Sequence, residues 1–182
     1  KASKVAYEFY KKHAKETVIG GTADHETGGI ALGTGKYALN LKALENQKAS
    51  AEVLSKKISD LRKAKNNHVA WEDIKNLLSE EMGFWSVLPI TWEQEKKLHD
   101  EYEKSFVRNK VEFAESMYAK TEPMAAKAKE VMDQIAMVGW TSGGHSAGYV
   151  PVFAIGAGSD LFIGKMDNTE IPKRIAKSGG YK

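Results

Sequence analysis

The chain has 182 residues, of which 42% are hydrophobic and 28% charged, and a formal net charge of +3; those proportions belong to a globular chain of one domain with a sizeable core. No apolar run approaches the roughly 20 residues that span a bilayer, the start at Lys1 shows no secretory leader, and the absence of cysteine excludes disulfides and thiolate zinc sites. Lys and Arg alternate with Asp and Glu along the predicted helices, a pattern of solvated faces, and neither an RNP-like aromatic motif nor a basic arm argues for a nucleic-acid partner.

Ala2–Lys15 carries Val5, Ala6, Phe9, Tyr10 and His13 at spacings near three and four, which predicts an amphipathic helix. Thr17–Gly21 follows as an apolar strand without alternation, of the kind covered on both faces in an open α/β sheet. It delivers Asp24 and His25 into a loop closed by Gly28 and Gly29. Ile30-Ala31-Leu32 reads as another short strand, with Tyr37-Ala38-Leu39 as its hairpin partner.

From about Leu41 to Val138 the chain is helical and nearly free of glycine. A helix over Lys42–Lys63 places Leu44, Ala51, Leu54, Ile58 and Leu61 on one stripe. A second, over Ala70–Met82, carries Trp71, Ile74, Leu77 and Leu78 and is stopped by Gly83. A third starts at Thr91 with Gln94 at capping-box spacing and runs to about Lys120 through Leu98, Tyr102, Phe106, Phe113 and Met117. A fourth follows Thr121 as N-cap, with Pro123 in its first turn and Met124, Ala128, Val131, Met132 and Ile135 on its apolar stripe. These stripes read as packing, and His13, His68 and His99 as surface or locally satisfied histidines.

Sheet-like sequence then resumes. Gly139–Gly148 is a glycine- and hydroxyl-rich loop around His145, leading into a strand over Tyr149–Ile155 in which Pro151 indicates an edge or a strand start. Leu161-Phe162-Ile163 is a short apolar piece, and Asp167-Asn168-Thr169 caps a terminal helix through Ile171, Ile175 and Ala176 that Gly179-Gly180 ends. The organisation predicted is therefore a partial α/β domain over residues 1–40 and 139–182, carrying the candidate ligands, with a helical insertion over 41–138. An insertion of this size costs little when its ends lie close together, which predicts that the His25 and His145 loops meet.

Of the five histidines, His25 and His145 alone sit in glycine-rich loops beside strands. Asp24 beside His25 pairs a hard oxygen with a borderline nitrogen, a mixture that suits Zn²⁺. Asp24, His25 and His145 on one ion would leave a position open for water or substrate. The alternative is a turn capped by Asp24 in which His25 makes a loop hydrogen bond.

Thr22-Ala23-Asp24-His25-Glu26-Thr27-Gly28-Gly29 resembles the metal-ligand segment of the alkaline phosphatases. Gly143-Gly144-His145-Ser146-Ala147-Gly148 before Val150-Pro151-Val152 resembles that family's later zinc-ligand histidine, and Asp160–Ile171 its C-terminal end. The resemblance covers about Ala2–Leu32 and Gly139–Ile175. It implies an alkaline-phosphatase-like sheet flanked by helices, hydrolysis of phosphate monoesters around a serine nucleophile, two zinc ions and a magnesium ion, and a periplasmic or secreted setting. Asp24 and His25 then correspond to ligands of the zinc that activates the serine, and His145 to a ligand of the other zinc, so the three do not share one ion.

The family's serine, its remaining zinc ligands and its magnesium ligands lie upstream of this segment, and Thr22, Thr27, Ser142 and Ser146 stand in no nucleophile motif. The resemblance therefore implies a C-terminal portion that is inactive alone and binds zinc weakly, with exposed strand edges that promote self-association or homodimer formation. Two other readings are a helical docking module presenting Phe84, Trp85 and Trp92, and part of a related phosphodiesterase. A shared site also requires the strand Tyr149–Ile155 to run antiparallel to Thr17–Gly21, or the loop to cross the sheet end.

Overall fold

A computed structural model describes residues 2–35, 38–115 and 120–181. In chain order its elements are α1 (Ala2–Lys12), β1 (Val18–Gly21), β2 (Glu26–Thr27), β3 (Ile30–Leu32), a 3₁₀ turn (Leu41–Asn46), α2 (Ala51–Ala64), α3 (Trp71–Met82), α4 (Trp92–Tyr102), a π turn (Glu103–Val107), β4 (Ala114–Glu115), β5 (Lys120–Thr121), α5 (Pro123–Ala136), β6 (Val138–Trp140), β7 (His145–Ser146), β8 (Phe153–Gly156), a 3₁₀ turn (Ser159–Phe162) and α6 (Glu170–Ser178). The class is α/β. Among the described residues the strands form two-stranded antiparallel ladders, β1–β8, β2–β7, β3–β6 and β4–β5. The chain divides into two compact units, Lys1–Thr27 with His145–Lys182, and Gly28–Gly144.

The helical unit holds the principal apolar cluster. Leu54 and Ile58 from α2, Ile74, Leu78 and Met82 from α3, Leu98 from α4, and Met124, Ala128, Val131 and Met132 from α5 are buried together. α5 is the hub, contacting α2, α3, α4, the first 3₁₀ turn and β6. Its alanines at 125, 128 and 136 are fully buried, and their small side chains let neighbouring backbones approach.

Several boundaries differ from the periodicity. The stripe over Lys42–Lys63 is a 3₁₀ turn and then α2, because Ser50 accepts a hydrogen bond from Val53 N and starts the helix afresh. The Thr91–Gln94 capping box forms as predicted, but α4 ends at Tyr102, widens into the π turn, and leaves the helix near Asn109, which sits at φ +53. Phe113 is consequently exposed, and Met117 lies outside the described residues. The cap of α5 is Glu122, not Thr121: its carboxylate accepts from Met124 N and Ala125 N at 2.7 and 3.1 Å. That carboxylate is buried and also takes Arg62 at 2.8 Å, while the guanidinium stacks 3.5 Å over Phe106.

β3 pairs with β6, Ile30 opposite Trp140 and Leu32 opposite Val138. Ala38 and Leu39 are not in a strand, and Tyr37 lies outside the described residues. At the base of the unit Gly28 N donates to Gly144 O at 2.8 Å, and Thr141 N donates to Gly28 O at 2.8 Å. Of the aromatic residues of the docking reading, Phe84 is buried in the core, Trp85 donates to Glu95 at 3.3 Å, and Trp92 is 73% exposed.

The second unit is built on β1 and β8, paired from Val18↔Gly156 to Gly21↔Phe153. α1 contacts β1, and the 3₁₀ turn over Ser159–Phe162 contacts β1, β8 and α6. The strand after His145 is shorter than its apolar sequence suggests, starting at Phe153 beyond Pro151, where the missing N–H of proline cannot interrupt the ladder. Gly156 closes the ladder at φ +102, and a Cβ there would fall 2.1 Å from the Thr17 carbonyl oxygen. β1 is half-buried at Val18 and Ile19 and exposed at its glycines, so it is not covered on both faces among the described residues.

Candidate functional site

β1 and β8 run antiparallel, so the segment leaving β1 and the segment entering β8 lie at one end of the ladder. There Thr22 Oγ1 donates to Pro151 O at 3.1 Å across 129 residues of sequence. Beyond that tie, β2 and β7 pair with Glu26 opposite Ser146 and Thr27 opposite His145. The two glycine-rich loops thus meet, as an insertion with adjacent ends requires. The His25 and His145 rings stack with centroids 3.5 Å apart and planes inclined by 29°.

Asp24 and His25 are held by local hydrogen bonds. The Asp24 carboxylate accepts from His25 N at 3.1 Å, which folds the loop back on itself. His25 Nδ1 lies 3.0 Å from Glu26 O. A carbonyl only accepts, so Nδ1 carries the hydrogen and Nε2 of the neutral ring presents its lone pair. That Nε2 faces Asp24 Oδ2 at 3.4 Å.

The pair thus offers a carboxylate oxygen and an imidazole nitrogen to one cation. Two ligands held about 2.0–2.2 Å from a tetrahedral zinc lie roughly 3.3–3.6 Å from each other. The Asp24–His25 pair therefore has the chemistry and the spacing of two neighbouring zinc ligands. Its side chains are 87% and 40% exposed, so an ion can reach them. Among the described residues no group of three His, Asp or Glu side chains surrounds one point, so the described side chains do not by themselves complete a tetrahedral shell.

The pair opens onto a cleft of about 370 Å³ lined by residues 22–26, Ser146–Val150, Val152, Met166–Asn168 and Ile171. Asp167 reaches this cleft, which its place in a helix-capping motif did not suggest. Its carboxylate accepts from Thr169 N at 3.0 Å and Thr169 Oγ1 at 2.8 Å, and the backbone bond first and the hydroxyl second hold its pKa below the usual value. Ser146, unassigned from sequence, donates from Oγ to the Glu26 carboxylate. The other histidines stay apart from the site: His13 stacks on Phe9, His68 Nδ1 lies 2.9 Å from Asn66 O, and His99 packs edge-on to Trp71.

A family model described as alkaline phosphatase matches residues 1–181. The chain is 30% identical to alkaline phosphatase 3 of Bacillus subtilis (strain 168) over 191 residues, which cover 99% of this chain and 34% of that protein. It is 28% identical to alkaline phosphatase 4 of the same organism over 182 residues, covering 98% of this chain and 33% of that protein. The crystal structure of a cold-active alkaline phosphatase from the psychrophile Shewanella sp. superposes with a TM-score of 0.66 at 23% identity, covering 98% of this chain and 37% of that one, and so shares the fold. The chain spans about a third of the length of the curated relatives it matches. With a match over nearly every residue, the chain belongs to the alkaline phosphatase family.

Proposed function

We propose that this chain is the C-terminal, ligand-bearing portion of a zinc-dependent alkaline phosphatase that hydrolyses phosphate monoesters. On this reading Asp24 and His25 bind one zinc and His145 contributes to a second, while the serine nucleophile, the remaining zinc ligands and the magnesium ligands come from polypeptide outside this chain. The observation that carries the reading is the 3.4 Å approach of Asp24 Oδ2 to a His25 Nε2 whose tautomer is set by the Glu26 carbonyl. A metal-binding imidazole characteristically has its other ring nitrogen committed in this way. Bound zinc would supply the positive charge that stabilises the oxygens entering and leaving phosphorus. The residues of this chain hold the donor atoms in register: the Asp24 turn aims the carboxylate, and the Glu26 carbonyl aims the ring. Family membership also points to a periplasmic or secreted setting.

Two measurements test this. Titration of the purified chain with Zn²⁺ is expected to show weak binding that Asp24→Ala or His25→Ala abolishes; zinc binding unchanged by either substitution overturns the ligand assignment. Hydrolysis of a simple aryl phosphate with Zn²⁺ and Mg²⁺ present is expected to stay at background for the chain alone, and robust turnover overturns the claim that essential groups lie elsewhere.

A further inference from the structure

We propose that Glu26 and Ser146 are positioning residues, a clasp that aligns the two candidate ligand imidazoles; the proposal rests on the zinc reading above. Two contacts on Glu26 and one on Ser146 carry it. The Glu26 carbonyl fixes Nδ1 of His25 at 3.0 Å. The Glu26 carboxylate accepts the hydroxyl hydrogen of Ser146, 120 residues away in sequence. Ser146 is joined by a peptide bond to His145, and its Oγ in turn accepts from Gly148 N at 3.3 Å. The backbone of Glu26 thus orients one imidazole while its side chain anchors the residue that carries the other.

The surroundings are built for this contact. Glu26 and Ser146 are half-buried, whereas Asp24, His25, His145 and Ala147 around them are exposed. Register places Glu26 directly opposite Ser146. A Cβ at Gly148 would stand 3.1 Å from Glu26 Cγ and 3.3 Å from Ser146 Oγ, so the glycine leaves room for the carboxylate to lie across the turn. A ladder of two residues on each strand has little cohesion of its own. The clasp adds a side-chain bond across this ladder, beside rings stacked at 3.5 Å.

The test uses the full chain and Glu26→Ala, Ser146→Ala, their double variant, Glu26→Gln and Ser146→Thr. Imidazole ¹⁵N spectra and the mutual ring-current shifts of His25 and His145 are recorded without metal at alkaline pH, and Zn²⁺ affinity is then titrated. Both alanine variants are expected to lose the ring-current shift and about 10- to 100-fold in zinc affinity. The double variant should be no worse than either single one, because the same bond is removed. Glu26→Gln and Ser146→Thr keep an acceptor and a hydroxyl and are expected to retain both signals. A merely structural role would lower thermal stability without moving the stacking signature or being rescued by the conservative pair.

Alanine variants that keep the stack and the affinity overturn the clasp, as do conservative variants that lose both. Should the alanine variants fail to fold, the conservative pair decides on the same readouts. If the unaltered chain binds no zinc while the metal-free signals respond as stated, the clasp stands and the zinc reading falls. If zinc binds equally to every variant, the zinc reading stands and the clasp falls.

Discussion

The two units of this chain are made from similar amphipathic sequence and end up in opposite states of burial. In Gly28–Gly144 the apolar stripes of α2, α3, α4 and α5 face one another, and Leu54, Ile58, Ile74, Leu78, Leu98 and Met132 are sealed from water. In the other unit α1 and α6 have no buried residue. Val5 is 72% exposed and Phe153 68%. The apolar residues of that unit line open clefts along β1 and β8, one formed by α1 with both strands and one by β8 with residues 159–166. Amphipathicity thus records a need for a partner surface; it does not show that the partner is present. One unit contains its own partners, and the other carries the candidate ligands on a frame whose apolar faces remain open.

The sharpest way to break this contrast is to remove Glu122. Its carboxylate caps α5 and neutralises Arg62 where both are largely buried, so Glu122→Ala leaves a desolvated guanidinium and an uncapped helix. A loss of about 3–5 kcal/mol is expected, read by urea denaturation followed through the helical signal. Next come paired truncations. Leu54→Ala should cost about 2–5 kcal/mol, whereas Phe153→Ala should change stability by about 0.5 kcal/mol or less and instead weaken self-association. Light scattering across a concentration series measures the latter. A strictly monomeric parent chain at high concentration would mean that the open faces are not adhesive.

A smaller effect is expected at the α4 cap. Thr91→Ala removes the acceptor for Gln94 N and should cost about 1 kcal/mol. Smallest is an acid effect on the helical unit. For Glu130, burial pulls the pKa upward, but hydrogen bonds from Lys127 and Lys97 outweigh it and leave the group below its ordinary 4.5. Asp73 is lowered by the Ala70 backbone N–H first and Lys65 second. A carboxylate with a depressed folded pKa contributes stability that is complete above its unfolded value and lost as pH falls through the folded one. Helical-unit stability should therefore hold from neutral pH to about 4.5 and decline below it; Glu130→Gln should flatten that decline, as acid titration of the unfolding midpoint would show.

Much of this was legible in the residues. The spacing of Ile74 and Leu78, the Thr91–Gln94 box and the stop at Gly83 are local, because an i to i+3 or i+4 relation is enough to specify a helix face or a cap. The pairing of the two glycine-rich loops was also legible, since the ends of a large insertion must lie close. Local pattern failed where a competing contact came from far along the chain. Thr121 read as the cap of the fourth helix, and Glu122 takes that place, its carboxylate fixed by Arg62, 60 residues away. Glu26 and Ser146 each stood in a motif without a stated role, and nothing within several residues of either one indicates that they meet.

The sequence alone therefore determined which helix faces are apolar and where the Thr91 cap and the Gly83 stop fall, and it singled out Asp24, His25 and His145 by residue chemistry and glycine-rich setting. Only the tertiary structure decided that the His25 and His145 rings stack, that Nε2 of His25 confronts the Asp24 carboxylate, and that a clasp spans the two loops. The physical reason is range: propensity, capping and periodicity act over a turn or a pleat, whereas the arrangement of donor atoms depends on antiparallel pairing between strands more than 100 residues apart, such as Val18 with Gly156.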